Sequence, residues 1–338
     1  MSATMRALRL PSNSSLDRLH ITSEATPKPG HGQALVRIRA TSLNYHDYLV
    51  VAGFIPQPAG RIPMSDGAGE IVALGEDVNG LTVGDRVMGA FFPDWIDGDP
   101  TEPNTAAISG ETVDGFAAEY VVVPAASLVI MPPGWSFEEA ATLPCAGLTA
   151  WRALRVEGNL DRGACVMLPG SGGLSVFALQ LAKAMGITAI VTSSSHGKLE
   201  RLAALGADHL LNYRSTPDWG ARVRELTGGR GADLVLEIGG QSSFAQSVTA
   251  CRMGGRVMVV GSTMNPAPEL PLRDVVMRHI RVNGMAVGNV AQLRALADFV
   301  AANGIRPVID RTFAMDQLTQ AFAYQLTGQH LGKIVVRA

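Results

Sequence analysis

Residues 164 to 186 read ACVMLPGSGGLSVFALQLAKAMG. A short apolar run, a glycine turn and an amphipathic helical pattern closed by Gly186 follow one another. Gly170, Gly172 and Gly173 let the backbone turn tightly and approach a bound group. The first amides of the next helix, from Gly173 and Leu174 onward, present the positive end of its dipole to an anion. The spacing meets the first two glycines of G-x-G-x-x-G, while Ser175 stands where the third would be. Taken alone, the stretch reads either as a pyrophosphate site or as an ordinary strand-to-helix turn.

The residues after Gly186 favour the first reading. A second apolar strand is expected at 187–192, a helix from about Lys198 to Leu205 and a third strand at 209–213, giving a βαβαβ run. In such a unit the end of the second strand, about 20 residues past the glycines, carries an Asp or Glu for the ribose hydroxyls of NAD. Here the place holds Ser193, Ser194 and Ser195, with Lys198 beyond and no carboxylate before Glu200. A carboxylate repels a 2′-phosphate, whereas hydroxyls and an ammonium bind it, so NADP(H) is expected over NAD(H). The competing reading makes the serines and Gly197 a loop and helix cap.

The chain has 338 residues, enough for two domains. Its composition, 47% hydrophobic and 17% charged, is that of a globular enzyme. A net charge of −2, with basic residues scattered singly, gives no footprint for nucleic acid or an anionic membrane. No run approaches the ~20 apolar residues that span a bilayer. The opening Met-Ser-Ala-Thr-Met-Arg has no signal-peptide pattern, so the cytoplasm is the expected compartment. Cys145, Cys165 and Cys251 are far apart in apolar surroundings and read as buried thiols, not a disulfide framework or metal cluster.

The pattern changes near residue 127. Before it, glycine-bounded strands dominate, at 33–40, 69–75 and 84–89; after it, strands and helices alternate. Ser136-Phe-Glu-Glu139 is a capping box. Beyond the glycine unit come a helix at 218–227, a strand at 232–237, a helix at 243–251 and a strand at 256–260, which together predict a doubly wound parallel sheet. The last strand, 332–337, resembles those of the first half and is expected to return to it. The reading is an α/β protein: a β-rich domain of residues 1–127 and 291–338, and a Rossmann doubly wound domain of residues 128–290.

Several motifs in order carry a family resemblance. Gly84-Asp-Arg-Val87, Leu143-Pro-Cys-Ala-Gly-Leu-Thr-Ala-Trp151, the Gly170–Gly173 turn with Gln180-Leu-Ala-Lys183, and Leu205-Gly-Ala-Asp208 resemble the medium-chain dehydrogenase/reductase superfamily, from about residue 5 to the C-terminus. Leu43-Asn-Tyr-His-Asp47 is similar to its zinc-free quinone oxidoreductase branch. The resemblance implies a GroES-like catalytic domain, a Rossmann domain, an active-site cleft between them and homodimers joined along the Rossmann sheet. Zinc-dependent members carry a Cys where this chain has Asn44, a His-Glu pair where it has Ser65-Asp66, and a cysteine at or near Cys145. Asn and Ser are poor zinc ligands, and a catalytic zinc needs three good donors. Residues 84–127, where a structural-zinc lobe would fall, contain no cysteine. No zinc of either kind is expected.

Without a Lewis acid, developing negative charge must be met by hydrogen bonds, which favours electron-poor acceptors: a quinone or an α,β-unsaturated carbonyl. The resemblance places Asn44 and Asp47 near the nicotinamide. Asn44 is a donor to the substrate oxygen; Asp47 is either catalytic or a loop tie. Tyr48 is a proton donor or a half-buried aromatic, and His46 a proton relay or an exposed loop residue. Phe54 and Trp95 wall a substrate pocket or pack in loops. For the cofactor the expected residues are Thr149, Tyr213, Gly239, Gly240, Gly261, Ser262, Thr263, Val287, Gly288, Asn289 and Lys333, most of them beyond the carboxyl ends of strands. The leading expectation is a zinc-independent, NADPH-dependent reductase of quinones or enones. Its rivals are a metal-free alcohol or aldehyde dehydrogenase and a non-catalytic NADPH-binding sensor.

Overall fold

The computed structural model describes residues 4–11, 13–240, 243–261 and 271–338. They form two compact units, residues 1–148 with 287–338 and residues 149–286. The divisions fall at 148/149 and 286/287 instead of 127/128 and 290/291, for local reasons. The strand Leu128–Ile130 pairs with Arg86–Gly89 of the first unit, and the amides of Val290 and Ala291 donate to the carbonyls of Trp95 and Ile96 at 3.0 and 2.9 Å.

The first unit is built on β1 (Thr4–Arg9), β2 (His20–Ala25), β3 (Gln33–Ser42), β4 (Gly67–Leu74), β5 (Arg86–Gly89), β6 (Tyr120–Pro124), β7 (Leu128–Ile130), β14 (Ile309–Ala314) and β15 (Lys333–Arg337). β1 and β2 make a separate antiparallel pair. The main sheet runs β14-β15-β3-β4-β5-β7, with β6 also on β3. As expected, the C-terminal strand returns: β15 lies antiparallel to β3, Val335 opposite Ser42. Alternation of apolar residues on β3 and β4 buries Val36, Ile38 and Ile71 against Phe116, Phe322 and Ile334. Gly67 and Gly89 pair across β4 and β5, and a Cβ on either would come within 2.2 Å of the Phe116 ring, so the glycines make room for that ring.

The second unit holds β8 (Cys165–Leu168), β9 (Thr188–Ser193), β10 (His209–Asn212), β11 (Ala232–Glu237), β12 (Cys251–Val259) and β13 (Arg281–Gly284). All are parallel, in the order β10-β9-β8-β11-β12-β13. Numbered within the unit this is 3-2-1-4-5-6, the doubly wound Rossmann order. β8 and β11 are buried along their whole length, which is why they read as continuous apolar runs. β12 starts five residues earlier than its apolar core, because Cys251 joins the ladder through a register shift. Asp233 ties β11 to β8: its carboxylate accepts the Cys165 amide at 2.8 Å while pairing with Arg230 and Arg252.

Candidate active site

In the first unit the polar residues singled out from the sequence converge on one buried cluster. The end of β3, the turn 64–66 and the start of β15 supply them. Lys333 is buried, and its Nζ donates to Leu43 O at 2.7 Å, Asn44 Oδ1 at 2.6 Å and Asp66 Oδ2 at 3.4 Å. Three ammonium protons thus meet three oxygens. The Asn44 amide is fixed by this contact: its Nδ2 donates to Asp66 Oδ2 at 2.9 Å and Ser65 Oγ at 3.2 Å. Asp66 Oδ2 also accepts the Ser42 hydroxyl at 2.6 Å, while Asp66 Oδ1 is sealed from solvent and has no hydrogen bond among the described residues. Burial pushes the Asp66 carboxyl up, with the Lys333 charge opposing and Asp47 adding to the rise.

Asp47 is a loop tie. Its Oδ2 accepts the amide of Asn44 at 2.9 Å and its Oδ1 the amide of Ser65 at 2.8 Å, so one buried carboxylate joins the start of the helix Tyr45–Val51 to the 64–66 turn. That turn is held in an unusual shape: Met64 has φ 79°, with the backbones of Gly110 and Gly115 packed against it. Both Asn44 amide protons and both Asp47 oxygens are therefore committed within the protein. Neither is poised as the donor or acid that the resemblance implied. Lys333 belongs to the same cluster and its ammonium is used there, not extended toward a dinucleotide.

His46 is also partnered, contrary to the exposed-loop alternative. Its Nε2 lies 2.6 Å from Glu111 Oε2, its Nδ1 lies 3.8 Å from Asp47 Oδ1, and the ring meets the edge of Phe91. Burial alone would lower its pKa, but the Glu111 hydrogen bond and the nearby charges of Asp47 and Glu111 prevail and raise it to about 9. Cys145, half-buried in the π-helical turn Leu143–Gly147, is pushed well above the usual thiol range by burial and by Asp66 and Asp47, so it is a thiol at neutral pH.

The aromatic candidates part ways. Tyr48 is half-buried against Tyr45, Phe54 and Phe322, and its hydroxyl makes no hydrogen bond among the described residues; Phe54 is exposed. Trp95 is buried at 1% exposure with its indole N–H on Gly98 O at 3.1 Å, which makes it loop core and not a pocket wall. Asn289 caps the helix Val290–Ala302 through the Gln292 amide and donates to Gly98 O. Val287 takes a left-handed φ of 44°, rare for a β-branched residue, just before Gly288.

In the second unit the glycine turn has the shape the sequence requires. Gly170 has φ 79°, its amide donates to Thr192 Oγ1 at 3.1 Å, and the helix Gly173–Ala184 begins after Gly172 with no side chain capping its first amides. Ser175 replaces a glycine without crowding because its hydroxyl turns back onto Pro169 O at 2.6 Å. Ser193 ends β9 and is buried, Ser194 is half-buried, and Ser195 caps the helix His196–Ala204, which starts two residues earlier than expected. The cap reading thus holds for Ser195, whose Oγ accepts the Lys198 amide at 3.5 Å. Tyr213 is exposed at the end of β10, Thr149 is buried, and Gly239, Gly240 and Gly261 follow β11 and β12. Ser262 and Thr263 lie outside the described residues.

Two known domain families match most of the chain. Residues 30–133 match the alcohol dehydrogenase GroES-like domain and residues 173–302 the zinc-binding dehydrogenase domain. A zinc-type alcohol dehydrogenase-like protein of Schizosaccharomyces pombe is 39% identical over 93% of each chain. The chain belongs to the medium-chain dehydrogenase/reductase superfamily. An acryloyl-coenzyme A reductase of Metallosphaera sedula is 28% identical over 92% of this chain and 93% of its own. A solved NAD-dependent alcohol dehydrogenase superposes with a TM-score of 0.91 at 31% identity, covering 98% of this chain and 99% of that one. The protein is therefore an oxidoreductase of the alcohol dehydrogenase-like kind.

The second domain's description implies a metal, and the described residues offer it no fitting donor set. Among the described residues no group of three His, Cys, Asp or Glu side chains is placed to hold an ion. The Asn44 carbonyl oxygen is bonded to an ammonium, and the Asn44 amide protons point at Ser65 and Asp66.

The His46 pair carries a pH signature. The folded pKa of about 9 lies above the unfolded ~6.5, so its stabilisation is complete below pH ~6.5 and lost as pH rises through about 9. Thermal melts between pH 6 and 10 should show wild type losing more stability than Glu111→Gln. Parallel losses in the two proteins would contradict the pairing.

Proposed function

We propose that this protein is a zinc-independent, NADPH-dependent oxidoreductase that delivers hydride to a quinone or to the β-carbon of an α,β-unsaturated carbonyl. The observation that carries the reading is the buried cluster of Asn44, Ser65, Asp66 and Lys333, in which an amide and a hydroxyl stand at two positions that hold ligands in zinc-dependent members and the Asp66 carboxylate is engaged by the Lys333 ammonium. A site built this way has no Lewis acid to hold an alkoxide, so electron-poor acceptors suit it better than unactivated alcohols. The acryloyl-coenzyme A reductase relative, named for reduction of an activated alkene, points the same way. The other relatives are named for alcohol dehydrogenase activity, one of them as zinc-type, and they stand behind the alternative of an alcohol or aldehyde dehydrogenase, which this donor set would run without metal.

The second unit supplies the dinucleotide site. The uncapped amides after Gly172 take the pyrophosphate, and the Gly170 turn leaves the backbone room to approach it. Ser193, Ser194 and Lys198 at the end of β9 receive the 2′-phosphate, with Tyr213 beside the adenylate; no carboxylate at that strand end opposes it. The bound cofactor supplies the hydride. The protein orients the acceptor, with Phe54 and Tyr48 as its aromatic wall and the Tyr48 hydroxyl, which makes no hydrogen bond among the described residues, as the group that gives the substrate oxygen its proton.

The same fold supports a homodimer joined along the Rossmann sheet. β13 is an edge strand on which Val282 is exposed, and in the helix Leu272–Met277 that precedes it Leu272, Val276 and Met277 are exposed, Val276 at 68%. Val282→Arg should convert the protein to a monomer in sedimentation velocity, and an unchanged mass would refute this interface.

Oxidation of NADPH and NADH followed with quinones, enones and aldehydes, alongside metal analysis, tests the main reading. Turnover with NADPH and a quinone or enone in zinc-free protein is expected. Turnover restricted to aldehydes would favour the alternative, binding without turnover a sensor, and stoichiometric zinc would overturn the metal-free site. Lys198→Glu should cost NADPH about tenfold in kcat/KM, or ~1.4 kcal/mol, and leave NADH unaffected. Equal effects on both cofactors would remove Lys198 from the 2′-phosphate site.

A further inference from the structure

A carboxylate that no sequence motif marks sits at the end of β11. Glu237 is wholly buried, yet among the described residues no cation neutralises it at short range; its partners are an amide and two hydroxyls. Oε1 accepts the Gly239 amide at 2.7 Å and the Ser243 hydroxyl at 2.6 Å, and Oε2 accepts the hydroxyl of Ser247, one turn along the helix Phe244–Ala250. Its main-chain carbonyl receives the amides of Val260 at 2.9 Å and Gly261 at 3.4 Å, where the chain leaves β12. One residue therefore fastens the turns that come after both β11 and β12. Those turns have little slack. A Cβ on Gly261 would come within 2.4 Å of Ile238 O, and one on Gly239 within 2.4 Å of Ser243 Oγ.

The position of this clamp in the sheet gives it a role. In a 3-2-1-4-5-6 sheet the first three strands receive one mononucleotide of a dinucleotide and the last three the other, both beyond the carboxyl ends of the strands. The glycine turn and the serine cluster belong to the β8–β10 half. Glu237 ends the first strand of the β11–β13 half, where the nicotinamide mononucleotide goes. A buried acceptor that shapes two adjacent loops by hydrogen bonds alone sets the backbone against which a ring must lie before hydride can leave it.

We propose that Glu237 is a positioning residue for the nicotinamide half of the dinucleotide, acting through the turns at Gly239 and Gly261, and that hydrogen-bond acceptance is what it contributes. This rests on the dinucleotide reading above. A Gln at this position can keep its carbonyl oxygen on the Gly239 amide and Ser243 while its NH2 donates to Ser247 Oγ, because a hydroxyl accepts as readily as it donates and an amide N–H does not. A Met of similar length satisfies none of the three.

The test compares wild type, Glu237→Gln and Glu237→Met for binding of NADPH and of adenosine 2′,5′-bisphosphate, which carries only the adenylate half, by calorimetry on the full chain. The Met variant should lose about tenfold or more in NADPH affinity. Its affinity for adenosine 2′,5′-bisphosphate should stay within about twofold of wild type, and Glu237→Gln should bind both compounds as wild type does. A variant damaged in its fold at large would lose both compounds together. If the Met variant does not fold, the double variant Ser243→Ala and Ser247→Ala is judged by the same split. Equal loss of both compounds, or no loss of either, overturns the proposal; failure of Glu237→Gln overturns it in favour of the charge. Wild type that binds neither compound fails the dinucleotide reading and this proposal with it, whereas wild type that binds both leaves the variants to decide this proposal alone.

Discussion

The antiparallel pairing of β15 with β3 is the constraint on which the first unit's chemistry depends. Val335 opposite Ser42 sets the register, and Leu43 N bonds to Ile334 O at 3.0 Å just beyond it. Lys333 is thereby brought across 290 residues of sequence to the carbonyl of Leu43. A slip of one residue would turn its side chain to the other face of the strand and empty the cluster of its cation. Every other polar group there is arranged in response: the Asn44 carbonyl oxygen faces the ammonium, so its amide protons face Ser65 and Asp66, and Ser42 adds a hydrogen bond to the same Asp66 oxygen.

A buried ion pair gains little stability over an apolar substitute, because removing two charges from water offsets their attraction. What it gives in this position is definition. The amide of Asn44 would otherwise be free to flip, and the acidic side chains of Asp47 and Asp66 would stand close together without a counter-charge. Asp47 avoids the repulsion by facing two main-chain amides; Asp66 faces Lys333 with one oxygen, and its other oxygen has no partner among the described residues. The strained Met64 backbone is tolerated because Asp47, Gly110 and Gly115 hold the turn from both sides.

Legibility from sequence followed the range of the interactions. The glycine turn, the alternation of strands and helices in the second unit and the capping box at Ser136 were readable because each depends on neighbours within about a turn or a strand, and on periods of 2 or 3.6 residues. The return of the last strand was readable from its composition. Contacts between distant segments were not. Nothing near His46 announces Glu111, and nothing near Asn44 announces that Lys333 will consume its carbonyl oxygen. A motif could place Asn44 and Asp47 beside the chemistry but not say where their protons and lone pairs point. Trp95 misled for a related reason: an aromatic in an acidic loop looks like a pocket wall until the amides of Val290 and Ala291 are seen to pin that loop to a helix.

The two units therefore solve opposite problems with the same means. In the first, a buried cluster uses up its donors and acceptors internally, while the hydroxyls of Tyr45 and Tyr48 in the same segment make no hydrogen bond among the described residues. In the second, the helix Gly173–Ala184 leaves its first amides uncapped, while Glu237, Thr192 and Ser175 spend their hydrogen bonds on shaping the turns around them. An anion site needs open amides on a rigid frame, and rigidity comes from polar groups that are closed. Ser195 shows how the two uses overlap: its oxygen caps its own helix by accepting the Lys198 amide, as the Ser193 oxygen accepts the Ser195 amide at 3.3 Å, while each hydroxyl keeps its own proton to donate.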